Sequence, residues 1–344
     1  MPEAKAPLLE VKNLKKHFPI KSGPLGRKGG AVKAVDDVSF EVHDGEILSL
    51  VGESGCGKTT TAKCVLRAID PTSGEVLFRT ASGEVVDVAR LPESGLRPLR
   101  SQMQLVFQDP FGSLNPRKNL LDIIGEPLLV HGVKSRQKRM DRVAELLSLV
   151  GLRPEYMHRF PHAFSGGQRQ RVVIARALAL EPRLVIADEA VSALDVSVQA
   201  QILNLLLDLQ SRLDLSYLFV AHDLSIVKHI SHRVAVMYVG KIAELAPTED
   251  LFHRPQHPYT SALMKAVPVA DPDKRTALKG LPGEVANPAD PPKGCYFHPR
   301  CPFAVDVCRH ETPALRELAP GHHVACHRAE ELDLGGIDDL VDAA

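Results

Sequence analysis

The chain has 344 residues, 44% hydrophobic and 24% charged, and its 42 basic residues equal its 42 acidic ones. This length predicts two domains or one domain with a long extension, and the composition is that of a globular protein with a sizeable core. The balanced charge argues against nucleic-acid binding, no apolar run approaches the ~20 residues that span a bilayer, and the first residues lack a signal peptide, so we expect a soluble cytoplasmic protein.

The first part of the chain predicts strands around a glycine-rich loop. Residues 9–14 and 38–42 alternate apolar and polar side chains, which is typical of half-exposed antiparallel strands. The basic, glycine-rich residues 21–30 between them predict a mobile surface loop. Residues 46–51 form an apolar run typical of an inner parallel strand, and residues 60–68 predict a helix.

The segment between this strand and this helix has the pattern G-x-x-x-x-G-K-[ST]. Its glycines let the backbone wrap around phosphate oxygens, with N–H groups and the positive helix end pointing at them. Lys58 would reach the β- and γ-phosphates, and the Thr59 hydroxyl would bind Mg²⁺. A chance glycine-rich turn is the alternative, but the flanking strand and helix favour nucleotide binding. The residues assigned to the nucleotide are Gly52, Glu53, Ser54, Gly55, Cys56, Gly57, Lys58, Thr59 and Thr60.

Further along the chain, helices alternate with apolar strands. Residues 104–107 predict a strand before Gln108, and residues at about 110–175 predict a helical insert in an α/β core. Residues 184–187 and 217–220 predict buried strands with a long helix between them. This order indicates a parallel sheet with right-handed crossovers.

Polar residues follow two of these strands, at the edge where open parallel sheets bind ligands. Asp188 is placed to hold Mg²⁺, Glu189 to orient or deprotonate the attacking water, and His222 to contact the γ-phosphate. A strand-end carboxylate is commonly only a cap or a surface pair. After a phosphate loop, however, this set indicates phosphoryl transfer, which depends on positioning and charge compensation.

The stretch Ser165-Gly166-Gly167-Gln168 precedes a predicted helix. Taken alone, it is best explained as an ordinary serine N-cap with flexible glycines. It stands in series, however, with Gln108, Asp188-Glu189, Asp195 and His222. That ordered set resembles the ATP-binding subunits of ABC transporters.

The resemblance covers residues 7–267 and implies an α/β fold. The fold is a P-loop NTPase (RecA-like) parallel-sheet core with an N-terminal antiparallel β subdomain and the helical insert. Carried over by motif, the resemblance assigns Lys58, Gln108, Glu189 and His222 to catalysis, and Thr59, Gln108 and Asp188 to Mg²⁺ binding. It assigns Ser165, Gly166, Gly167 and Gln168 to the signature motif and Asp195 to the D-loop. Phe18 is assigned to stacking on adenine. Phe18, at the end of a strand, could equally belong to the core. Phe164 replaces the family's usual Leu and Ala190 its frequent Pro, and neither change removes a functional group.

The resemblance also identifies residues 52–60 as the Walker A loop. In this family the signature motif closes over ATP held by the Walker A loop of a second subunit. One copy of each motif therefore implies a dimer, with an identical or paralogous second ATPase subunit and two sites at the interface. The resemblance also implies that ATP is hydrolysed. A DNA-repair ABC ATPase would carry a long coiled-coil insert and a translation ABC ATPase two motif sets, and the sequence has neither.

Residues 107–116 and 257–263 are similar to segments of bacterial oligopeptide and dipeptide importers. The resemblance implies an ATPase at the cytoplasmic face of the inner membrane that powers peptide uptake through two permease subunits. An extracytoplasmic substrate-binding protein would be an indirect partner. Nickel or sugar import within the same subclass is the alternative, so the cargo is inferred from the resemblance.

Past residue 268 the composition shifts to Pro, Gly and Cys, which predicts a separate C-terminal module at 268–328 and a disordered acidic tail at 329–344. Four cysteines fall in this module: Cys295, Cys301, Cys308 and Cys326. In a reducing compartment such a cluster favours a metal site over disulfides. The alternative is that these cysteines are buried and serve only in packing. The spacing lacks the C-x₂-C pairs of zinc ribbons. Relatives in the importer subclass are associated with a [4Fe–4S] cluster, which we predict here, with zinc, aided by His298 or His327, as the runner-up.

Overall fold

A computed structural model of the chain describes residues 6–22, 27–107, 109, 112–266 and 283–336. Its strands are β1 (Leu9–Ser22), β2 (Arg27–Val42), β3 (Ile47–Val51), β4 (Ser73–Arg79), β5 (Val85–Asp87), β6 (Met103–Val106), β7 (Leu184–Asp188), β8 (Ser216–Val220), β9 (Arg233–Tyr238), β10 (Lys241–Pro247), β11 (Arg316–Ala319) and β12 (His322–Val324). Its α-helices are α1 (Lys58–Val65), α2 (Glu93–Leu99), α3 (Leu120–Val130), α4 (Arg136–Leu149), α5 (Gly166–Ala177), α6 (Val196–Leu213), α7 (Leu224–Ile230), α8 (Thr248–His253), α9 (Pro258–Lys265) and α10 (Asp306–His310). Short 3₁₀ helices cover Pro154–His158, Pro161–Ala163, Leu178–Leu180 and His298–Arg300.

These elements fall into two compact units. The first contains the described residues of 1–9, 42–46 and 78–220, and the second those of 10–41, 47–77 and 221–344. Among all described residues, no helix combines the length and the apolar composition needed to cross a bilayer.

The first unit contains three neighbouring parallel strands, β6, β7 and β8. Ile186 at the centre of β7 is in register with Leu105 on one side and Leu218 on the other. Every residue of β7 and β8 is buried, as the apolar runs predict for inner strands. The helical insert is formed by α3, α4 and α5, and α4 buries Val143 and Leu146 on one face. The predicted parallel core and helical insert are confirmed.

The second unit contains β3 and β9, which are parallel, and β10, which is antiparallel to β9. It also contains most of β1, β2 and β4, which are neighbours in the order β2-β1-β4. Because only residues 23–26 separate β1 from β2, these two neighbours must be antiparallel. This agrees with the predicted antiparallel β subdomain.

The predicted loop at residues 21–30 is wrong at 21–22 and 27–30, because β1 continues to Ser22 and β2 starts at Arg27, while residues 23–26 lie outside the described residues. Two strands that are neighbours in a sheet satisfy each other's backbone hydrogen bonds, so they can extend without an apolar alternation in the sequence.

The cysteine-rich segment is continuous with the sheet of the second unit. β12 pairs antiparallel with β10, with Leu245 opposite His323, and β11 pairs with β12. Packing extends past the predicted boundary at residue 328, since Ala329 and Leu334 are buried and the Leu334 carbonyl accepts a hydrogen bond from Ser261 Oγ at 3.1 Å. The predicted start of the module, at 268, and the rest of the acidic tail, at 337–344, lie outside the described residues.

Candidate functional site

The phosphate loop joins β3 to α1 in the second unit. β3 is buried along its whole length, and α1 begins at Lys58, two residues before its predicted start. Gly57 precedes it with a φ of 110°, and a Cβ there would lie 2.1 Å from the carbonyl oxygen of Ala34. Gly52 has a φ of 149°, and its Cβ would lie 2.2 Å from the carbonyl oxygen of Met237. Both positions therefore require glycine.

The Lys58 side chain is folded into this loop. Its Nζ donates hydrogen bonds to the carbonyl oxygens of Gly52 (2.7 Å) and Glu53 (3.1 Å), and the residue is buried. The N-cap residue of α1 is Gly57, which has no side chain to cap the helix, and the start of the helix lies directly at the end of the loop. A glycine-lined turn with a buried ammonium and a helix N-terminus is suited to a polyphosphate.

In the first unit, β7 ends at the buried Asp188. Glu189 follows with a φ of 47°, in the left-handed region that residues other than glycine seldom adopt. Its N–H donates to the carbonyl of Val220 on β8 at 2.9 Å, and its carbonyl accepts from the N–H and the hydroxyl of Ser192 at 3.1 and 3.0 Å. These bonds hold the strained turn that orients Glu189, and such strain concentrates at functional sites.

Ser165 and Gln168 form a capping box at the start of α5, also in the first unit. Ser165 Oγ accepts from the Gln168 N–H at 3.3 Å, and Gln168 Oε1 accepts from the Ser165 N–H at 3.1 Å. Gly167 lies against α6, where a Cβ would be 2.5 Å from Val198 Cγ1. Gly166 is also close, since its Cβ would be 3.5 Å from the Leu194 side chain. The signature motif is therefore fixed by its own cap and by the start of α6.

Asp195 is the N-cap of α6. Its Oδ1 accepts from the Val198 N–H at 3.1 Å and from the Ser197 hydroxyl at 3.0 Å, and these bonds lower the pKa of Asp195. Phe164 is buried and packs edge to face on Tyr156, with 5.6 Å between ring centres, so this replacement of the family's Leu keeps an apolar contact. The first unit thus brings Asp195 and the signature motif to adjacent helix starts.

The remaining predicted residues are placed as follows. Phe18 on β1 is 37% exposed, with Lys16 Nζ 4.9 Å from the ring centre, so it is not a core residue, and adenine stacking stays a prediction. His222 follows β8 and is exposed. Gln108 lies outside the described residues.

Two residues that the sequence-based assignment missed contact the phosphate loop. The Tyr259 hydroxyl accepts a hydrogen bond from the Glu53 N–H at 3.0 Å, and the Arg300 guanidinium forms an ion pair with the Glu53 carboxylate at 2.8 Å. They lie 206 and 247 residues after Glu53, so no local pattern links them to the loop. The only sequence signal was the position of Tyr259 in the segment that resembles peptide importers.

The four C-terminal cysteines line one small cavity of about 20 Å³ in the second unit. Burial raises the pKa of Cys295 to about 12 and that of Cys326 to about 11, and the neighbouring cysteines add to both shifts. Within the described residues, however, no group of three or more His, Cys, Asp or Glu side chains could hold a metal ion as it stands. The runner-up ligands His298 and His327 line the same cavity. One ring nitrogen of each lies 2.9 Å from a backbone carbonyl, His298 Nδ1 from that of Cys295 and His327 Nε2 from that of Glu311. A histidine held in this way can bind a metal through its other ring nitrogen.

Comparison with known proteins gives the family. The profile described as ABC transporter matches residues 35–192, and that described as Oligopeptide/dipeptide transporter, C-terminal region, matches residues 243–308. The oligopeptide transport ATP-binding protein AppF of Bacillus subtilis (strain 168) is 53% identical over 325 residues, which is 93% of this chain and 97% of that protein. The chain belongs to the ABC transporter ATP-binding proteins of the oligopeptide/dipeptide type. As an ABC ATPase, it hydrolyses ATP.

Further relatives agree with this membership. The di/tripeptide transport ATP-binding protein DppF of Pseudomonas aeruginosa (strain UCBPP-PA14) is 45% identical over 324 residues, covering 94% of this ABC ATPase and 98% of that protein. The dimeric post-hydrolysis structure of the ATP-binding cassette MJ0796, bound to ADP and Pi, is 28% identical with a TM-score of 0.60, covering 70% of this chain and 98% of that one. The predicted fold class is therefore confirmed for the ATPase core.

Proposed function

We propose that this ABC ATPase powers the uptake of dipeptides and oligopeptides through two separate permease subunits. The observation that carries the proposal is the 53% identity to an oligopeptide transport ATP-binding protein over nearly all of that relative. The match of residues 243–308 to the C-terminal region of oligopeptide/dipeptide transporters supports the same cargo class. The subunit would act at the cytoplasmic face of the membrane, with a second ATPase subunit, itself or a paralogue, and with a substrate-binding protein on the opposite side.

The nucleotide would be held by the Gly52–Thr60 loop, with Lys58 at the β- and γ-phosphates. This assignment is supported by two glycines whose positions exclude a Cβ and by the buried Lys58 ammonium. Hydroxyl and carboxylate oxygens are the ligands that Mg²⁺ prefers, which fits Thr59 and Asp188. Bound Mg²⁺ would neutralise charge on the phosphate oxygens.

Hydrolysis would follow from the residues around this nucleotide. Glu189 orients a water and takes its proton as the oxygen attacks the γ-phosphorus and the bond to ADP breaks. His222 would donate a hydrogen bond to the γ-phosphate. The signature motif of the second subunit, starting at Ser165, would close the site from the other side, and reopening after hydrolysis would drive the permeases.

Uptake measurements test the cargo. A strain lacking this chain should lose uptake of labelled dipeptide and pentapeptide, while uptake of nickel and of sugars should stay normal. Restoring the native chain should recover peptide uptake, and restoring the Glu189→Gln variant should not. Loss of nickel or sugar uptake with normal peptide uptake would replace the proposed cargo with that alternative.

We also propose that the four C-terminal cysteines hold a [4Fe–4S] cluster. The observation in favour is that all four line one cavity. A cluster binds one cysteine at each of four irons, so it needs a wider sulfur arrangement than a single zinc ion, whose four ligands all lie within about 2.3 Å of one point. When bound, the cluster would supply a covalent link among chain segments around residues 295–326.

Anaerobic purification followed by iron, sulfide and zinc analysis tests this proposal. Four irons and four sulfides per chain are expected. They should be lost in the Cys301→Ser variant but retained in Cys64→Ser, which changes a buried cysteine outside the module. Zinc without iron in the native chain would overturn the cluster in favour of the alternative metal.

A further inference from the structure

Arg300 connects the cysteine-rich segment to the phosphate loop. It ends the 3₁₀ helix His298–Arg300, immediately before Cys301, and its side chain is only 4% exposed. Its guanidinium makes two hydrogen bonds to the Glu53 carboxylate, Nη1 to Oε2 at 2.8 Å and Nη2 to Oε1 at 3.1 Å. This bidentate, charge-assisted geometry fixes both the distance and the orientation of Glu53.

The Arg300 side chain is itself held in place. Its guanidinium carbon lies 5.8 Å from the ring centre of Tyr238 and 5.9 Å from that of Phe297, within cation–π range. The pKa of Arg300 is raised, chiefly by its hydrogen bonds to Glu53. An arginine with this environment has little freedom to leave its partner.

Glu53 is also held through its backbone. Its N–H donates to the hydroxyl of Tyr259, a buried residue whose ring lies 4.7 Å from that of Tyr238 and 5.4 Å from that of Phe297. Tyr238, Tyr259 and Phe297 form one aromatic cluster behind the loop. Side chain and backbone of Glu53 are therefore both anchored to elements of the second unit that follow the ATPase core motifs in sequence.

The anchored residue in turn positions Lys58. The carbonyl oxygen of Glu53 accepts a hydrogen bond from Lys58 Nζ at 3.1 Å. The loop contains glycines at positions 52, 55 and 57, and such a backbone loses much conformational entropy when it is ordered around a ligand. A loop fixed beforehand loses less on binding and therefore binds more tightly.

We infer that Arg300 is a positioning residue for ATP binding, which acts through Glu53 on the phosphate loop and Lys58. The inference rests on the proposed role of the Gly52–Thr60 loop. Arg300 also neutralises a carboxylate that would otherwise stand unpaired in the loop that receives the phosphates. The C-terminal segment thereby contributes to the affinity for nucleotide, in addition to extending the sheet.

The test is a double-mutant cycle on ATP affinity, measured without Mg²⁺ so that no hydrolysis occurs. Arg300→Met keeps the length of the side chain but removes both hydrogen bonds to Glu53 and the charge, and should raise the Kd for ATP about tenfold. In the Glu53→Gln background the same change should matter by less than about threefold, because no carboxylate is left unpaired. Arg300→Lys should recover part of the affinity, and the matched control Arg316→Met, which breaks the exposed pair with Glu330, should leave it unchanged.

Two results would overturn the inference: an unchanged Kd in Arg300→Met, or the same fold-change in both backgrounds. If Arg300→Met does not fold, Arg300→Lys in the two backgrounds gives the same cycle, and equal effects there would also overturn it. Lys58→Ala separates this inference from the assignment of the loop. Normal ATP binding in Lys58→Ala would remove the loop assignment itself. Loss of binding in Lys58→Ala together with unaffected Arg300 variants would remove only the role of Arg300.

Discussion

Glu189 carries a carboxylate on a backbone whose positive φ is unfavourable in free energy. Its φ of 47° is held by hydrogen bonds to Val220 and Ser192, so the turn is built for the direction of this side chain. Glu189→Gln keeps the size and the turn but removes the basic oxygen. We expect ATP binding to be intact and hydrolysis to slow by a hundredfold or more, on the order of 3 kcal/mol in the barrier. Phosphate-release and nucleotide-binding assays on one preparation check both, and unchanged turnover would remove Glu189 from its role.

Two glycines of the phosphate loop separate backbone strain from steric exclusion. Both have positive φ, 110° at Gly57 and 79° at Gly55, but only Gly57 has a backbone oxygen 2.1 Å from where a Cβ would stand. Gly55→Ala should therefore cost about 1 kcal/mol, the usual strain of a left-handed alanine. Gly57→Ala should cost at least about 3 kcal/mol, since the Ala34 carbonyl must also move. Denaturant unfolding of both variants measures the difference, and equal losses would contradict the close approach.

At the scale of single elements, two serine N-caps allow the signature helix to be tested. Ser165 caps α5 and Ser135 caps α4, each by accepting a hydrogen bond from the backbone three residues on. Replacing either with Ala should cost about 1 kcal/mol of stability, because one helix donor loses its partner. Only Ser165→Ala should reduce ATP hydrolysis, and it should not weaken ATP capture by the monomer. A similar fall in turnover in Ser135→Ala would assign the effect to helix stability rather than to the signature motif.

The buried strands were predictable from the sequence almost to the residue. β3, β7 and β8 are continuous apolar runs because each strand is buried over its whole length, so the pattern and the burial coincide. The motif residues were predictable for a related reason. The loop glycines and the Ser165 cap are demanded by local backbone geometry, and local geometry leaves a pattern in the sequence.

What the sequence did not reveal depends on distant partners. β1 and β2 run well past their predicted ends because each supports the other. β12 exists because it pairs with β10, about 80 residues away, and neither strand shows this in its own pattern. The contact between Arg300 and Glu53 was missed for the same reason, because a single arginine in a proline-rich segment has no periodicity to read.

At the scale of the whole molecule, a buried charge joins the C-terminal segment to the sheet of the second unit. Glu244 on β10 is fully buried and accepts hydrogen bonds from the N–H groups of Gln256 and His257 at 2.7 and 3.0 Å. His322 Nε2 on β12 lies 2.7 Å from the same carboxylate. Burial of an unpaired carboxylate is strongly unfavourable, so Glu244 on β10 depends on its partner on β12. The packing of β10 and that of β12 therefore stabilise each other.

The neighbouring His257 makes this region sensitive to acid. Burial lowers its pKa from about 6.5 to about 4, although Glu244 nearby raises it, so the folded protein binds this proton less readily than the unfolded chain does. The neutral, buried His257 therefore contributes fully to the free energy of unfolding above pH 6.5. This contribution is lost as the pH falls towards 4, by about 2 kcal/mol between pH 7 and 5. His257→Asn keeps an acceptor for the Tyr259 N–H and should flatten this pH dependence of the unfolding free energy. His253→Asn, at an exposed position on α8, should retain it, and an unchanged slope in His257→Asn would contradict the assignment.

Mixing two impaired variants tests whether each ATP site is shared between chains. Lys58→Ala removes the phosphate lysine and Ser165→Ala impairs the signature motif, so if the chain pairs with itself, each homodimer would carry the same defect in both sites. A mixed dimer would contain one site with both residues intact, the Lys58 of one chain facing the Ser165 of the other. About half of the dimers in an equal mixture are mixed, and each has one working site of two, so ATPase activity should recover to at most about a quarter of that of the unchanged chain. Mixing would restore nothing if each site were complete within one chain, or if the chain paired only with a paralogue. The control mixture of Lys58→Ala and Glu189→Gln, which damage the same side of the site, should stay inactive in either case.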